Sequence, residues 1–185
     1  ESGLTNVVSP SGATGFWQIM KYTAREYGLE VNSGIDQRNH IEKSTEVACN
    51  YLLKAYEKYG SWTLAAASYN AGMNKISKET KNQNEESYYN MNFGQETGRY
   101  IYRILALKVI SQNPKSFGFH LRDKDLYAPY STYDVKVDST IEDLSAFAKN
   151  YGLNYKELKI YNPWMLTSSL PDKSRRTYHI KIPKN

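Results

Sequence analysis

The spacing of apolar residues changes once along the chain, and this change is the feature that most constrains its fold. Over residues 44–59 apolar side chains recur at helical spacing, and Gly60 then ends the run. Later in the chain the spacing becomes the alternation of a strand, at Tyr133, Val135 and Val137. We therefore expect a helical domain followed by a smaller domain that contains strands.

Three further segments before residue 114 also have the pattern of helices. They span residues 17–27, the Ala-rich stretch 62–71, and residues 95–112, which Asn113-Pro114 follows. The polar stretch Glu79–Asn90 predicts a surface loop. The first domain is therefore expected to be mainly α and to cover residues 1–114.

Residues 115–132 lack periodicity and contain Asp, Pro, Ser and Tyr, so we interpret them as a linker. After it, Ser139–Glu142 has the spacing of a capping box, and Asn154–Glu157 repeats that signal. Each predicts the start of a short helix. The apolar residues alternate again over 178–182. Residues 133–185 are thus predicted to form a small α+β domain in the order βααβ.

The composition excludes several classes of protein. The net charge of +5 is spread along the chain without a basic block, so we expect no nucleic-acid partner. No run approaches the roughly 18 apolar residues of a membrane span. The three His are scattered without Cys or carboxylates at ligand spacing, so neither a metal nor another cofactor is expected. The single cysteine, Cys49, falls on the apolar stripe of the helix at 44–59, which predicts that it is buried.

Four segments of the first domain carry polar and aromatic residues in a fixed order. They are Glu-Ser-Gly-Leu at 1–4, Ser-Pro-Ser-Gly-Ala-Thr-Gly-Phe-Trp-Gln at 9–18, Ser-Tyr-Asn-Ala-Gly at 68–72 and Glu-Thr-Gly-Arg-Tyr at 96–100. In this order and spacing they resemble the lytic transglycosylase domain of the lysozyme superfamily, in particular enzymes of the membrane-bound lytic murein transglycosylase D type. The resemblance covers essentially all of residues 1–114 and implies a lysozyme-like helical fold.

The resemblance implies cleavage of the β-1,4 bond between N-acetylmuramic acid and N-acetylglucosamine without water. The muramyl 6-hydroxyl attacks its own C1 and closes a 1,6-anhydro ring. Such a reaction needs one carboxyl group that first donates and then accepts a proton, and Glu1 matches the family's single catalytic Glu. The substrate's own N-acetyl group then takes the place of a second carboxylate. An apolar pocket is expected to raise the pKa of this carboxyl.

The remaining expected site residues also follow from the resemblance. They are Ser11 and Gln18 near the scissile sugar, Gly15 and Phe16 along the cleft, Tyr69 and Asn70 facing the sugar, Tyr100 beside the carboxyl, and Glu96 in the cleft wall. Structural roles are the alternative for each of them. Both tyrosines could be core aromatics, Ser11 and Glu96 could be scaffold, and the glycines could serve the backbone alone. Trp17, Trp62 and Tyr51 are expected in the core.

Residues 133–184 resemble a LysM module, on the basis of Tyr133–Lys136, Thr140-Ile141, Leu144–Ala148, Leu158, Asn162-Pro163 and Ile182-Pro183. This resemblance implies binding of an N-acetylglucosamine-containing polymer, and the alternative is a spacer that packs on the first domain. Val137-Asp138 stands where the family has Gly-Asp, and the stretch Leu166–Arg176 is longer than usual.

The expected function is that of a peptidoglycan lytic transglycosylase in cell-wall turnover, with glycan strands as its partner. Two alternatives remain open: a hydrolytic muramidase or chitinase on the same fold, and a glycan-binding protein with an inert lysozyme-like domain. The expected location is the periplasm or bacterial envelope. A segment before Glu1 is expected to hold a further helix and a signal or lipoprotein peptide, which leaves outer-membrane anchoring open.

Overall fold

The computed structural model describes residues 2–171 and 176–184, and this part of the chain is mainly helical. Within these ranges lie seven α-helices and two strands. They are α1 (Lys21–Glu26), α2 (Ile41–Tyr59), α3 (Trp62–Ala71), α4 (Met73–Gln83), α5 (Gln95–Gln112), β1 (Thr132–Val137), α6 (Leu144–Asn150), α7 (Tyr155–Tyr161) and β2 (Tyr178–Pro183). Helices are followed by a small βααβ element, so the predicted fold class is confirmed.

The chain divides into two compact units. The first combines Glu1–Ala48 with Pro129–Asn185, and the second is Cys49–Ala128. The first unit therefore joins the beginning of the chain to the predicted βααβ domain.

In the first unit, β1 and β2 pair antiparallel, with Val135 opposite Ile180. Alternate side chains of β2 point into a core that α6 and α7 cover, as the period of a strand requires. Leu144, Leu158 and Ile180 are fully buried there. The strand, helix, helix, strand order expected from the sequence is thus present.

Helix α6 begins later than the sequence predicts. Asp143 is its N-cap, and its carboxylate accepts hydrogen bonds from the amides of Ser145 and Ala146. The Ser139–Glu142 capping box is therefore wrong, because Ile141 is paired through both of its backbone groups with Leu170. The second predicted capping box, Asn154–Glu157, is confirmed at the start of α7.

A short segment near the beginning of the chain completes the core of the βααβ element. Ile35 is 1% exposed and belongs to the same apolar cluster as Leu144 and Ile180. The backbone fixes it there, since the Asp36 amide donates to the Trp164 carbonyl at 2.8 Å. The two parts of this unit therefore share one apolar core.

A second cluster of the first unit surrounds α1. Ile19, Leu29 and Val47 are buried in it, and Trp17 packs against them while its indole donates to Thr45 at 2.8 Å. Trp17 is partly buried. Helix α1 is shorter than the predicted 17–27, because Thr14 and Ile19 pair and keep the preceding residues out of helical conformation.

The second unit packs α3 against α4 and α5. Its core contains Leu64, Ile76, Tyr88 and Ile101. Gly72 separates α3 from α4 with φ +86°, a conformation that glycine adopts without the steric cost of a Cβ.

Three expectations fail in the second unit. The stretch Glu79–Asn90 is not wholly a loop, because α4 continues to Gln83 and Tyr88 is buried. Cys49 is exposed rather than buried, since the buried face of α2 is narrower than the apolar pattern suggested. Trp62 is 55% exposed and stacks on Tyr56 with 4.3 Å between ring centroids, so it is not a core residue.

The segment predicted as a linker is exposed over most of its length and contains two short 3-10 turns, Pro114–Phe117 and Asp123–Asp125. Among the helices of the described residues, none combines the length and the apolar character needed to cross a bilayer.

Candidate functional site

The predicted residues Ser11, Gly15, Phe16 and Gln18 lie on one loop of the first unit. Backbone pairing of Thr14 with both Val8 and Ile19 closes this loop on itself. Ser11 is exposed at its tip. The sequence motif at 9–18 therefore forms a single folded element, which we call the substrate loop (residues 7–19) after the role that the sequence predicts for it.

The side chain of Arg38 supports the substrate loop through hydrogen bonds to its backbone. The guanidinium donates to the carbonyls of Gly12 at 3.0 Å and Ile19 at 3.2 Å. It also forms a two-pronged ion pair with Asp36, at 2.9 and 2.7 Å. Since both charged groups are buried and bonded to each other, they form a rigid support for the loop.

Position 15 requires glycine because the backbone of the substrate loop lies very close to the backbone at Arg38. A Cβ at this position would lie 2.1 Å from the Arg38 carbonyl oxygen, and φ is +84°. Gln18 also has a positive φ, of 50°, and its amide nitrogen donates to the carbonyls of Val7 and Gly15. The donor of the Gln18 side chain is thus engaged within the loop.

Ser2 connects the first predicted motif to this loop. Its hydroxyl donates to the Phe16 carbonyl at 3.0 Å. Glu1, the predicted catalytic residue, lies outside the described residues. The described contact brings the residue after Glu1 next to the predicted cleft residue Phe16.

The second unit brings together Tyr51, Tyr69 and Tyr100, which we call the tyrosine group. Tyr69 and Tyr100 are predicted site residues. The rings of Tyr69 and Tyr51 meet edge to face with centroids 5.4 Å apart. Burial raises the pKa of Tyr69 far above its usual value, and the neighbouring phenols of Tyr100 and Tyr51 add to the rise. Tyr69 therefore stays protonated and can act only as a neutral hydrogen-bonding group.

Tyr51 was expected in the core, but it is only partly buried and belongs to this tyrosine group. Its hydroxyl donates to the Ser68 carbonyl at 2.8 Å, directly before Tyr69. Tyr51 therefore positions the C-terminal end of α3. Tyr51 shares a helical face with Val47 and Ala55, and this pattern predicted a core position. The pattern gave no sign of the hydrogen bond to Ser68.

Asn70 and Glu96 are the remaining predicted residues of this unit, and they have different partners. The Thr97 hydroxyl donates to the Asn70 side-chain oxygen at 3.2 Å, and the Tyr88 hydroxyl donates to the Thr97 carbonyl at 2.6 Å. Glu96 is exposed, and its carboxylate lies 3.5 Å from the guanidinium of Arg103, about two turns further along α5. The motifs at 68–72 and 96–100 therefore meet within this unit.

The first unit also contains an open pocket at the edge of the substrate loop, with a cavity volume of about 340 Å³. Phe16 is the predicted site residue in its wall. The other lining residues come from two stretches of the chain, namely Asn6, Asn39, His40, Ile41 and Glu42 from the early segment, and Tyr130, Thr132, Ile160, Tyr161, Pro163, Trp164 and Lys181 from the later one.

The charged groups of this pocket neutralise one another. Lys181 Nζ lies 2.9 Å from Glu42 Oε1 and 3.8 Å from Asp134 Oδ1. The hydrogen bond with Glu42 raises the pKa of Lys181. Burial alone would raise the pKa of Glu42, but the hydrogen bonds that its carboxylate accepts and the nearby charge of Lys181 together lower it. Burial lowers the pKa of His40, so its imidazole is neutral at neutral pH.

Sequence reasoning did not single out these pocket residues. Asn39, His40 and Glu42 follow the buried pair Asp36 and Arg38, and a polar run just before a helix was the only signal available. Tyr130 lies in the stretch interpreted as a linker. The pocket forms from residues more than 80 positions apart, so no local pattern could reveal it.

In the part of the chain that the structure describes, no three His, Cys, Asp or Glu side chains lie close enough together to hold a metal ion. The polar side chains of the substrate loop and of the tyrosine group are neutral hydrogen-bonding groups. The chemistry that they support is recognition of hydroxyl and amide groups.

Two family models match the chain. Residues 1–92 match the Transglycosylase SLT domain, and residues 133–185 match the Soluble lytic transglycosylase C-terminal LysM-like domain. The chain is 29% identical over 170 residues to the Membrane-bound lytic murein transglycosylase D of Escherichia coli strain K12. The protein of the same description from Escherichia coli O6:H1 gives the same identity. These matches cover 89% of this chain but 37% of each relative, so the chain spans well under half of their length.

Proposed function

We propose that this chain, which belongs to the lytic transglycosylase family through its SLT and LysM-like domains, cleaves peptidoglycan strands. The bond broken is the β-1,4 link between N-acetylmuramic acid and N-acetylglucosamine, and the product ends in 1,6-anhydro-N-acetylmuramic acid. The observation that carries the proposal is the match of residues 1–92 to the SLT domain, which includes the substrate loop together with Tyr51 and Tyr69.

In the proposed reaction, the Glu1 carboxyl protonates the oxygen of the leaving sugar while the C1–O bond breaks. The resulting carboxylate then removes the proton from the muramyl 6-hydroxyl, whose oxygen forms the new bond to C1. One carboxyl group suffices because the proton that it donates is regained in the second step. The substrate's acetamido oxygen stabilises the positive charge at C1 between the two steps.

The other site residues have supporting roles in this proposal. Ser11 and Gln18 position the substrate loop's polar groups near the scissile sugar, and Gly15 and Phe16 form the cleft wall. Tyr69, Asn70 and Tyr100 offer neutral hydrogen bonds to the reacting sugar, which the raised pKa of Tyr69 supports. Glu96 lies in the cleft wall in this proposal, with its exposed carboxylate paired with Arg103.

The LysM-like domain is proposed to hold the same polymer through its N-acetylglucosamine units. The relatives are named as membrane-bound and as acting on murein, and we propose the bacterial envelope as the place where this chain acts.

Product analysis tests the proposal directly. Glycan strands digested by the intact natural protein are expected to yield muropeptides with 1,6-anhydro ends, which mass spectrometry separates from reducing ends by the mass of one water. Reducing ends would instead identify a hydrolytic muramidase. Binding without any cleavage would identify an inert glycan-binding protein.

The role of Glu1 is tested by Glu1→Gln, which keeps the size of the side chain but removes the acid. We expect turnover to fall by several orders of magnitude, since general acid-base catalysis alone contributes about 10²–10⁴-fold. Glu57→Gln is the matched control, because Glu57 is exposed on α2. Retention of a tenth of the wild-type rate in Glu1→Gln would refute the assignment.

A further inference from the structure

The pocket beside the substrate loop has no role in the proposed cleavage, apart from the presence of Phe16 in its wall. Its lining combines the SLT segment with the LysM-like domain, and all of it lies within the first compact unit. A cavity of about 340 Å³ lies at the lower end of the range of about 300–1,000 Å³ that small-molecule sites occupy. The pocket is therefore large enough for a ligand of about one sugar ring.

Aromatic side chains form much of the wall. Tyr130 and Tyr161 meet edge to face with centroids 5.3 Å apart. Trp164 is 2% exposed and lies in a stack between His40 and Tyr178, at 6.0 and 5.6 Å, so it supports the wall, while Tyr130 and Tyr161 provide the accessible rings. Flat apolar rings with polar edges suit the C–H face and the hydroxyl rim of a sugar.

The uncharged polar residues of the lining match an acetamido group in kind. Asn6 and Asn39 carry amides that can both donate and accept, and Thr132 carries a hydroxyl. Ile41 and Pro163 add apolar surface next to these groups. An N-acetyl substituent presents the same combination, with one amide N–H, one carbonyl oxygen and one methyl group.

The charges of the pocket disfavour an anionic ligand. Lys181 already interacts with Glu42 and Asp134 at 2.9 and 3.8 Å. A carboxylate or phosphate would have to compete with both side chains for this ammonium group, and it would meet two like charges beside it. His40 supplies no positive charge at neutral pH. A neutral ligand meets none of these costs.

We propose that this pocket is a glycan subsite that binds one N-acetylhexosamine ring of a strand, with the SLT segment and the LysM-like domain each forming one wall. The choice of a glycan rests on the proposed function, and the neutral, aromatic and amide-rich lining narrows it to an N-acetylated ring. The LysM-like domain thereby contributes to substrate binding through a surface that exists only while it is packed against residues 6–42.

Tyr130→Ala tests the subsite with little risk to folding, since Tyr130 is 75% exposed. The probe is the β-1,4 trisaccharide of N-acetylglucosamine, and isothermal titration calorimetry measures its Kd without any cleavage. Loss of one aromatic wall is expected to raise the Kd about three- to tenfold. Tyr127→Ala is the matched control, because this tyrosine is fully exposed and lies outside the lining; its Kd should equal that of the wild type.

A second probe tests the acetamido group. The β-1,4 trisaccharide of glucose, which lacks that group, is expected to bind at least tenfold more weakly than the N-acetylated one. In NMR titrations, the side-chain amide signals of Asn6 and Asn39 should shift with the N-acetylated probe. For peptidoglycan cleavage, Tyr130→Ala should raise KM and leave kcat unchanged.

Equal Kd values for Tyr130→Ala, Tyr127→Ala and the wild type would overturn the subsite, even if the LysM-like domain binds the probe elsewhere. Equal affinity for the two trisaccharides would overturn the N-acetylhexosamine assignment. These results are separate from a failure of the proposed function, which would appear as an absence of anhydro products from the wild-type protein while binding is intact.

Discussion

Ile35→Ala should destabilise the LysM-like domain, although Ile35 lies about a hundred residues before it in the sequence. The side chain is 1% exposed inside the cluster formed by α6, α7 and β2. Replacing a buried isoleucine by alanine removes three carbon atoms and leaves a cavity, which costs about 2–5 kcal/mol in protein cores. The backbone bonds on both sides of Ile35 limit how far the site can collapse, so the upper half of this range is expected.

Native-state hydrogen exchange measures this loss where it occurs. The Leu158 amide donates to Asn154 within α7, and its protection reports the stability of the LysM-like domain. A loss in the upper half of that range, about 3.5–5 kcal/mol, corresponds to exchange that is about 300- to 4,000-fold faster, at about 1.4 kcal/mol per factor of ten. The experiment uses the whole chain, because Ile35 and Leu158 must both be present.

Ile104→Ala is the matched control, since it makes the same chemical change at a side chain that is 42% exposed on α5. It should leave exchange of the Leu158 amide unchanged. A double variant with Met165→Ala adds a second check, because Met165 pairs with Ile35 through the backbone and is itself buried. The two losses should be non-additive by about 0.5–3 kcal/mol. Unchanged exchange at Leu158 in Ile35→Ala would show that the domain is self-contained and would refute the reasoning.

Three further outcomes are expected. Gly15→Ala should abolish or severely reduce both folding and activity, because the added Cβ would lie 2.1 Å from the Arg38 carbonyl oxygen. Gly94→Ala is the control, since its added Cβ meets open space, and it should have little effect on the melting temperature. Burial lowers the pKa of His40 from 6.5, so the unfolded chain binds its proton first, and stability should fall as the pH drops below about 6.5. In His40→Asn the melting temperature should depend less on pH in this range. His120→Asn, at an exposed position, should leave that dependence unchanged. Tyr100→Phe should lower the rate of anhydromuropeptide release roughly 10- to 150-fold through loss of a hydrogen bond of about 1.5–3 kcal/mol, with the melting temperature almost unchanged; the reverse pattern would make Tyr100 a packing residue.

Local patterns predicted the elements whose packing agrees with their own propensities. The Ala-rich helix at 62–71, the helix at 95–112 and the cap at Asn154 all lie where the sequence indicated. The Ser139–Glu142 capping signal failed because a backbone pairing with Leu170 took precedence over it. Local propensity is a weak prior, and tertiary contacts regularly override it.

The substrate loop illustrates the same limit at the site. Its motif at 9–18 was recognisable from residue types and order. Its support by Arg38 was not, because the contact with Gly12 joins residues 26 positions apart. A backbone role was the alternative to a cleft role for Gly15, and the overlap of an added Cβ with the Arg38 carbonyl supplies a physical reason for it.

Residues 35–38 connect two parts of the first unit that the sequence presents as separate domains. Ile35 is buried in the core of the LysM-like domain, and Asp36 donates its amide to Trp164. The Asp36 carboxylate also accepts a hydrogen bond from Arg38, and the Arg38 guanidinium in turn supports the substrate loop. A shift of the LysM-like core would therefore reach the loop through two rigid contacts rather than through a flexible linker. This connection gives the LysM-like domain a part in shaping the substrate loop, in addition to any glycan that it binds itself.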